Sequence, residues 1–388
     1  MEHTADIIII GGGVIASSIA YNLLNDGYEG EILIFEKDRT YEFSSTPRSV
    51  GGIRQLFTTD INIQISQFSH QVYKKFAEAM ADNHEKAEID FKQRGYLLLG
   101  KEANMPYLNE HLEVQHKHGV PSELLNKEDL LKIIPELNTD DLAGGLFCAK
   151  DGYLDPYSVM QGYIKQSKKL GAQYIYEEVD TILTDRHNVT GVRLNNGQEY
   201  KASVVINCAG PWSGYLSEKI GLPLPIVPLR RQVFQFDSEQ PLKKGLPLTV
   251  DPTGVYFRHE GNQLLSGFAE DTKPGIHFKW KRSYFIDQLW PVLGNRVKNF
   301  EKAKVTGGWS GLYTHNTKDQ NAIVGKHPQL DGYYLACGFS GHGMQQAPAV
   351  GKGLAELISK GVYETIDLRP LRFERFKEND LVIEKAII

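Results

Sequence analysis

Three small residues and one acid, Gly11, Gly13, Ala16 and Glu36, have the types and spacing to hold a dinucleotide. The stretch Gly11-Gly-Gly-Val-Ile-Ala16 fits G-x-G-x-x-G/A. Its first small residue makes a tight turn, the second lets backbone approach a pyrophosphate, and the third packs helix on strand. Glu36 stands where a carboxylate accepts bonds from a ribose 2′-hydroxyl. An acid there disfavours a 2′-phosphate, which leaves FAD or NAD ahead of NADP.

These residues need a strand, a helix and a second strand to position them. Asp6 to Ile10 supplies four isoleucines in a row, as expected of a parallel strand buried on both faces. A helix follows to about Leu24, with Val14 and Ile15 in its first turn and its unpaired N–H groups facing the phosphates. Glu31 to Phe35 reads as the next strand and delivers Glu36. Residues 41 to 58 then form a loop rich in hydroxyl, glycine and arginine residues, able to lie along a pyrophosphate and cover a ring system. Val204 to Asn207 is another buried strand, running into Ala209-Gly210, where small residues again admit a ligand. Just before it, residues 192 to 200 read as a hairpin turning at Asn196-Gly197. Residues 90 to 100 and 226 to 270 alternate polar and apolar, as antiparallel strands do. They predict one sheet assembled from separated parts of the chain, with substrate held between it and the dinucleotide domain.

Composition narrows the function further. At 388 residues the chain suggests two domains or one large one. A formal net charge of -5 and no long Lys/Arg run speak against nucleic acid, and no apolar run is long enough to span a membrane. Cys148, Cys208 and Cys337 are scattered, which predicts reduced buried thiols; with no signal-like segment in MEHTAD, the expected location is cytoplasmic. His111, His116 and His118 do not share one helical face, so a solvated helix surface is preferred to a metal site and no metal is expected.

With these motifs in order, the sequence resembles the D-amino-acid oxidase superfamily of FAD-dependent oxidoreductases, and within it the sarcosine oxidase and dimethylglycine dehydrogenase branch. Besides Gly11 to Ala16 with Glu36, the markers are Ser45-Thr46, Gly51-Gly-Ile-Arg54, Asp151-Gly-Tyr-Leu-Asp-Pro156, Val204 to Trp212, Trp309-Ser-Gly-Leu-Tyr313 and Gly338-Phe-Ser-Gly-His-Gly343. The resemblance implies an α/β (α+β overall) fold: a Rossmann-like FAD-binding domain from residues 1–85, 146–225 and 305–388, and a mixed antiparallel-sheet substrate domain from 86–145 and 226–304. Both are discontinuous. It places FAD against Gly11, Gly13, Val14, Ile15, Ala16, Glu36 and Lys37, against Ser44, Ser45, Thr46, Arg48, Gly51, Gly52 and Ile53 of the early loop, and against Val179, Ala209, Gly210 and Trp212. At the ring end it adds Gly311, Tyr313, Gly338, Ser340, Gly341, His342, Gly343, Met344 and Gln345. A helix near Gln346 to Ile358 is expected to aim its N-terminus at the ring, where it favours the negative charge of the reduced form.

For chemistry, the resemblance implies transfer of a hydride from the carbon beside an amine nitrogen to flavin N5, so the protein must orient substrate rather than supply a nucleophile. Arg54 aligns with a carboxylate-binding arginine; Tyr256, Arg258, Tyr313 and Gln345 are the other substrate candidates. Tyr313 stands where glycine and D-amino-acid oxidases carry an arginine, which points away from their substrates. Gly311 replaces a flavin-linking cysteine and residues 41–58 hold no histidine, so FAD is expected to be non-covalent. No lysine lies in Gln263 to Gly267 to activate oxygen, which leaves oxygen, a quinone, a partner protein or a partner subunit as acceptor. Gln345 replaces a second carboxylate-binding lysine. The implied substrate is a secondary or tertiary amino acid such as sarcosine, and a homo-oligomer is compatible with the resemblance. The alternatives are an L-proline or imino-acid dehydrogenase subunit, or a flavin-binding assembly factor of the respiratory complex I type.

Overall fold

The computed structural model describes residues 3–83 and 85–385. Its centre is a six-stranded sheet ordered 323–326, 333–337, 204–207, 7–10, 32–35, 173–175, parallel except for the first strand. The run of isoleucines at Ile7–Ile10 now has its reason. Ile7 and Ile9 pack on one face, in a core shared with the helices Val14–Asn25 and Gly343–Lys360. Ile8 and Ile10 pack on the other, against Ile182 and Val192 of a four-stranded sheet formed around the strands Val179–Asp185 and Asn188–Leu194. Successive strand residues alternate faces, so a strand covered on both sides is apolar throughout. The expected hairpin is present, with Gly197 at φ 87 and Glu199–Lys201 as its return strand.

The second large sheet has eight strands, ordered 304–316, 226–237, 263–267, 256–260, 248–250, 96–100, 144–148, 122–125. Every neighbouring pair is antiparallel except 248–250 with 96–100. It is assembled from distant parts of the chain, as the alternating segments predict. The sequence boundaries at 146 and 305 fall inside its strands Gly144–Cys148 and Lys304–Asn316. Both strands therefore belong to the substrate-side sheet along most of their length; Lys304–Asn316 pairs with Ile226–Asp237 over its whole run before the chain returns to the central sheet.

The helix after the second glycine cluster begins at Gly343, ahead of the expected start at Gln346, and so contains Pro348. Proline lacks an N–H and leaves the carbonyl four residues back without its helical donor. That carbonyl belongs to Met344, and the buried Tyr73 hydroxyl donates to it. An external donor replaces the missing one, so the helix runs on to Lys360.

Candidate functional site

One cavity is lined by residues of both large sheets and of both glycine clusters. At one end Gly11 has φ 97, and a Cβ there would sit 2.4 Å from the Cys208 carbonyl oxygen, so only glycine fits. Gly13 is the N-cap of Val14–Asn25 and gives no side-chain cap; the Val14 N–H donates to Thr46 Oγ1 at 3.3 Å. Glu36 is buried, accepts from the Gly12 N–H at 2.8 Å and the Asp38 N–H at 2.9 Å, and has its pKa raised by burial. It therefore holds the glycine turn as well as facing the cavity. The Lys37 ammonium lies 3.4 Å from the centroid of the Trp212 ring and 3.6 Å from Glu178.

The early loop is tied across the cavity to the substrate-side sheet. Ser45 Oγ donates to the Leu312 carbonyl at 2.6 Å, and Arg48 Nη1 to that of Ser310 at 2.7 Å. Gly311 lies between these contacts, and a Cβ there would meet the Arg48 Cβ at 3.2 Å.

At the other end, Gly341 has φ 98, and a Cβ would meet the Tyr313 ring at 2.6 Å. His342 is the N-cap of Gly343–Lys360 and is buried; burial, reinforced by Arg54, lowers its pKa and keeps it neutral. The helix thus ends on the cavity with uncapped N–H groups and its positive dipole end.

Arg54 is 3 % exposed and lines the same cavity. Its guanidinium lies 4.1 Å from the Phe57 ring centroid and donates to the Leu56 carbonyl at 2.7 Å. Its neighbour Gln55 donates from backbone and side chain to Asp151, each at 2.8 Å. Asp151 is fully buried, and burial raises its pKa to about 6. Tyr96, Tyr256 and Tyr313 line the cavity beside Arg54, all with phenol pKa values raised first by burial and thus neutral. Aromatic rings exclude water and strengthen a guanidinium's hold on a carboxylate.

Of the residues named from sequence, Arg54, Tyr256, Tyr313 and Gln345 meet at this end, while most of the proposed FAD contacts line the remainder. Three do not line the cavity. Ile53 points into an apolar core, and Gly338 packs against Ile226 and Ile323. Arg258 is a structural arginine: its Nε donates to the Val50 carbonyl at 2.8 Å, and Nη1 pairs with Glu260 at 2.5 Å. Alternation placed it beside Tyr256, but its length carries it into these contacts. The expected solvated histidine face also needs correction. His111 is 1 % exposed, packed on Tyr107, with its pKa lowered to about 4 by burial, because its helix, Met105–Lys117, packs on the substrate-side sheet. Among the described residues no group of three metal-ligating side chains occurs. All three cysteines are free and buried.

Tyr96, Arg231 and Glu384 are not among the residues that the sequence motifs single out. Arg231 lines the cavity from the strand Ile226–Asp237, where the strand's parity could have signalled it: Val233, two residues on, also faces inward. Glu384, 3 % exposed, folds back onto Thr58 and Thr59, and no local pattern announces it.

A mostly parallel central sheet with a glycine turn, a buried acid and two helix N-termini on one cavity defines a dinucleotide-binding protein. The chain belongs to the DAO family of FAD-dependent oxidoreductases, whose model matches residues 6–357. It is 33% identical over 424 residues to FAD-dependent oxidoreductase domain-containing protein 1 of Bos taurus, covering 99% of this chain and 87% of that one. It is also 27% identical to human mitochondrial dimethylglycine dehydrogenase, covering 99% of this chain but 46% of that protein. Among solved structures, the L-proline dehydrogenase of P. horikoshii matches with TM-score 0.89 and 28% identity, covering 98% of this chain and 100% of that one. FAD is the cofactor, and the glycine cradle, Glu36 and the uncapped helix ends fit it. Among the described residues no helix is long and apolar enough to cross a membrane.

Proposed function

We propose that the protein oxidises the C–N bond of an open-chain secondary or tertiary (N-methyl or N-alkyl) amino acid such as sarcosine. The supporting observation is Arg54, a buried guanidinium set among aromatic rings and lining the cavity on which the Gly343–Lys360 helix end also lies. In this reading Arg54 holds the substrate carboxylate in two parallel bonds, and Tyr313 and Tyr256 shape the space around the amine. Bound FAD supplies the hydride acceptor. The neutral tyrosines and His342 place no anion beside the amine to hold it as an ammonium, so its nitrogen can be neutral with the lone pair available. FAD is held without a covalent link, since Gly311 offers no thiol at the flavin-facing strand.

A second reading is favoured by the match to an L-proline dehydrogenase along the whole chain: the amine is part of a ring. Anaerobic mixing of the FAD-loaded protein with N-methyl amino acids, L-proline and D-amino acids separates the two. Bleaching by open-chain N-methyl amino acids supports the first reading, and bleaching by L-proline alone supports the second. A flavin that stays oxidised with all of them ends both, and leaves a flavoprotein that does not turn over.

A further inference from the structure

Among the described residues, none balances the charge of Arg231. It is half-buried on the cavity wall, and its Nη1 donates only to main-chain carbonyls, those of Arg230 and Glu270, at 3.0 and 3.1 Å. Its Nε is buried and has no hydrogen-bond partner among the described residues. The nearby carboxylate of Glu270 is engaged elsewhere, by Arg230 at 3.1 Å and by Gln232 at 3.0 Å. Among the described residues no carboxylate lies within ion-pair distance of Arg231. A buried N–H left without an acceptor is costly, and the cost is recovered when a ligand brings one.

The location of Arg231 indicates which ligand. It pairs across the sheet with Gly311, and its guanidinium carbon lies 5.2 Å from the Tyr313 ring centroid. Tyr313 feels both Arg231 and Arg54 electrostatically. Two residues along the strand, Val233 pairs with Gly267, over which the Tyr256 hydroxyl closes, since a Cβ there would sit 2.4 Å from it. Arg231 thus belongs to the tyrosine-lined end of the cavity, away from the glycine turn and Glu36.

We propose that the substrate is a dianion, an amino acid whose nitrogen substituent or side chain ends in a second carboxylate, with Arg54 and Arg231 each holding one. This rests on the amine-oxidation reading for its chemistry, but it is a statement about binding and is testable without turnover. The probes are ether analogues that lack the reactive amine, oxydiacetate with two carboxylates and methoxyacetate with one, titrated into the FAD-loaded protein and followed by the flavin difference spectrum. Oxydiacetate is expected to bind at least ten times more tightly. In Arg231→Met, with flavin content and thermal midpoint measured alongside, the ratio of the two affinities is expected to collapse toward one. Equal binding of both analogues by the native protein, no binding of either, or an equal loss for both in the variant would overturn the inference. Iminodiacetate and sarcosine then address the oxidation separately. If oxydiacetate shows the expected preference but iminodiacetate leaves the flavin oxidised, the two-carboxylate site stands and the amine-oxidation reading fails.

Discussion

The main-chain N–H of Arg54 donates to Oε1 of Gln345 at 3.2 Å, joining the early loop to the first turn of the helix that begins at Gly343. The Arg54 backbone is therefore tied to the same helix whose N-terminus lies on the cavity. Where the family resemblance suggests a lysine for binding carboxylate, this chain has a residue that positions the arginine instead. Replacing Gln345 by Ala removes one neutral hydrogen bond, worth about 0.5–1.5 kcal/mol. The expected result is a roughly 2- to 12-fold weaker Kd for carboxylate ligands with FAD content unchanged, read from flavin difference spectra. Loss of FAD would show that Gln345 serves the cofactor.

Arg54→Met tests the carboxylate site directly. Hydrogen bonds to charged groups contribute about 1.5–3 kcal/mol, so each one lost corresponds to a roughly 10- to 150-fold weaker Kd. FAD should remain bound, because the proposed dinucleotide contacts are the glycine turn and residues 44–53, not the Arg54 side chain. A variant purified without flavin, or one that binds carboxylates as before, would remove Arg54 from this role.

Asp151, which accepts from Gln55 beside Arg54, is expected to make the stability of the protein depend on pH. Its pKa in the folded protein is raised from the ordinary 3.8 to about 6 by burial, partly opposed by the bonds from Gln55. A carboxyl group whose folded value is raised contributes its full stability below the unfolded value and loses it as pH rises through the folded one. The window is therefore about pH 4 to 6, with a loss on the order of 3 kcal/mol. Asp151→Asn cannot titrate. The difference in stability between native protein and variant, from denaturant midpoints at several pH values, should fall across this window and level off above it. Parallel profiles would mean that Asp151 does not titrate there.

FAD is expected to be non-covalent because Gly311 offers no thiol and residues 41–58 hold no histidine. At Gly311 the chain offers no nucleophile, and a side chain there would crowd Arg48, whose Cβ would lie 3.2 Å from the added Cβ. Acid precipitation of the protein should release all of its yellow colour to the supernatant. Flavin retained in the pellet would require a linkage at another residue.

Much of this arrangement was legible in the sequence because it rests on local rules. The isoleucine run, the glycine turn, Glu36 and the Asn196-Gly197 hairpin each declare their conformation within a few residues. What was not legible depends on where long side chains end. Tyr256 and Arg258 share strand parity, yet Arg258 turns toward Val50 and Glu260. His111 sits in a polar-looking helix, yet neighbours distant in sequence bury it. The helix that starts at Gly343 takes in Pro348 because the hydroxyl of Tyr73, from a different helix far upstream, supplies the missing donor.

Glu384 shows the same dependence on distant partners and yields the last prediction. One carboxylate oxygen accepts from the Thr58 N–H at 2.9 Å and its hydroxyl at 2.5 Å; the other accepts from the Thr59 hydroxyl at 3.0 Å and Asn62 Nδ2 at 3.1 Å. Thr59 is the N-cap of Asp60–Lys74, so the charge also lies at a helix N-terminus, where it is favoured. Asn62 in turn accepts from Gln346, next to the Gln345 that holds Arg54. Glu384→Ala leaves these buried donors without their acceptor, at a cost of about 1–3 kcal/mol for each group left unsatisfied. Local opening of the last residues should then become more frequent, since opening costs only the contacts that hold a segment. Limited trypsin digestion followed by mass spectrometry should show faster cleavage after Lys377 in the variant, together with weaker carboxylate binding through the Asn62 and Gln346 link. Unchanged cleavage would mean that the Arg375 pairing with Asp319, at 2.7 Å, holds this segment without Glu384.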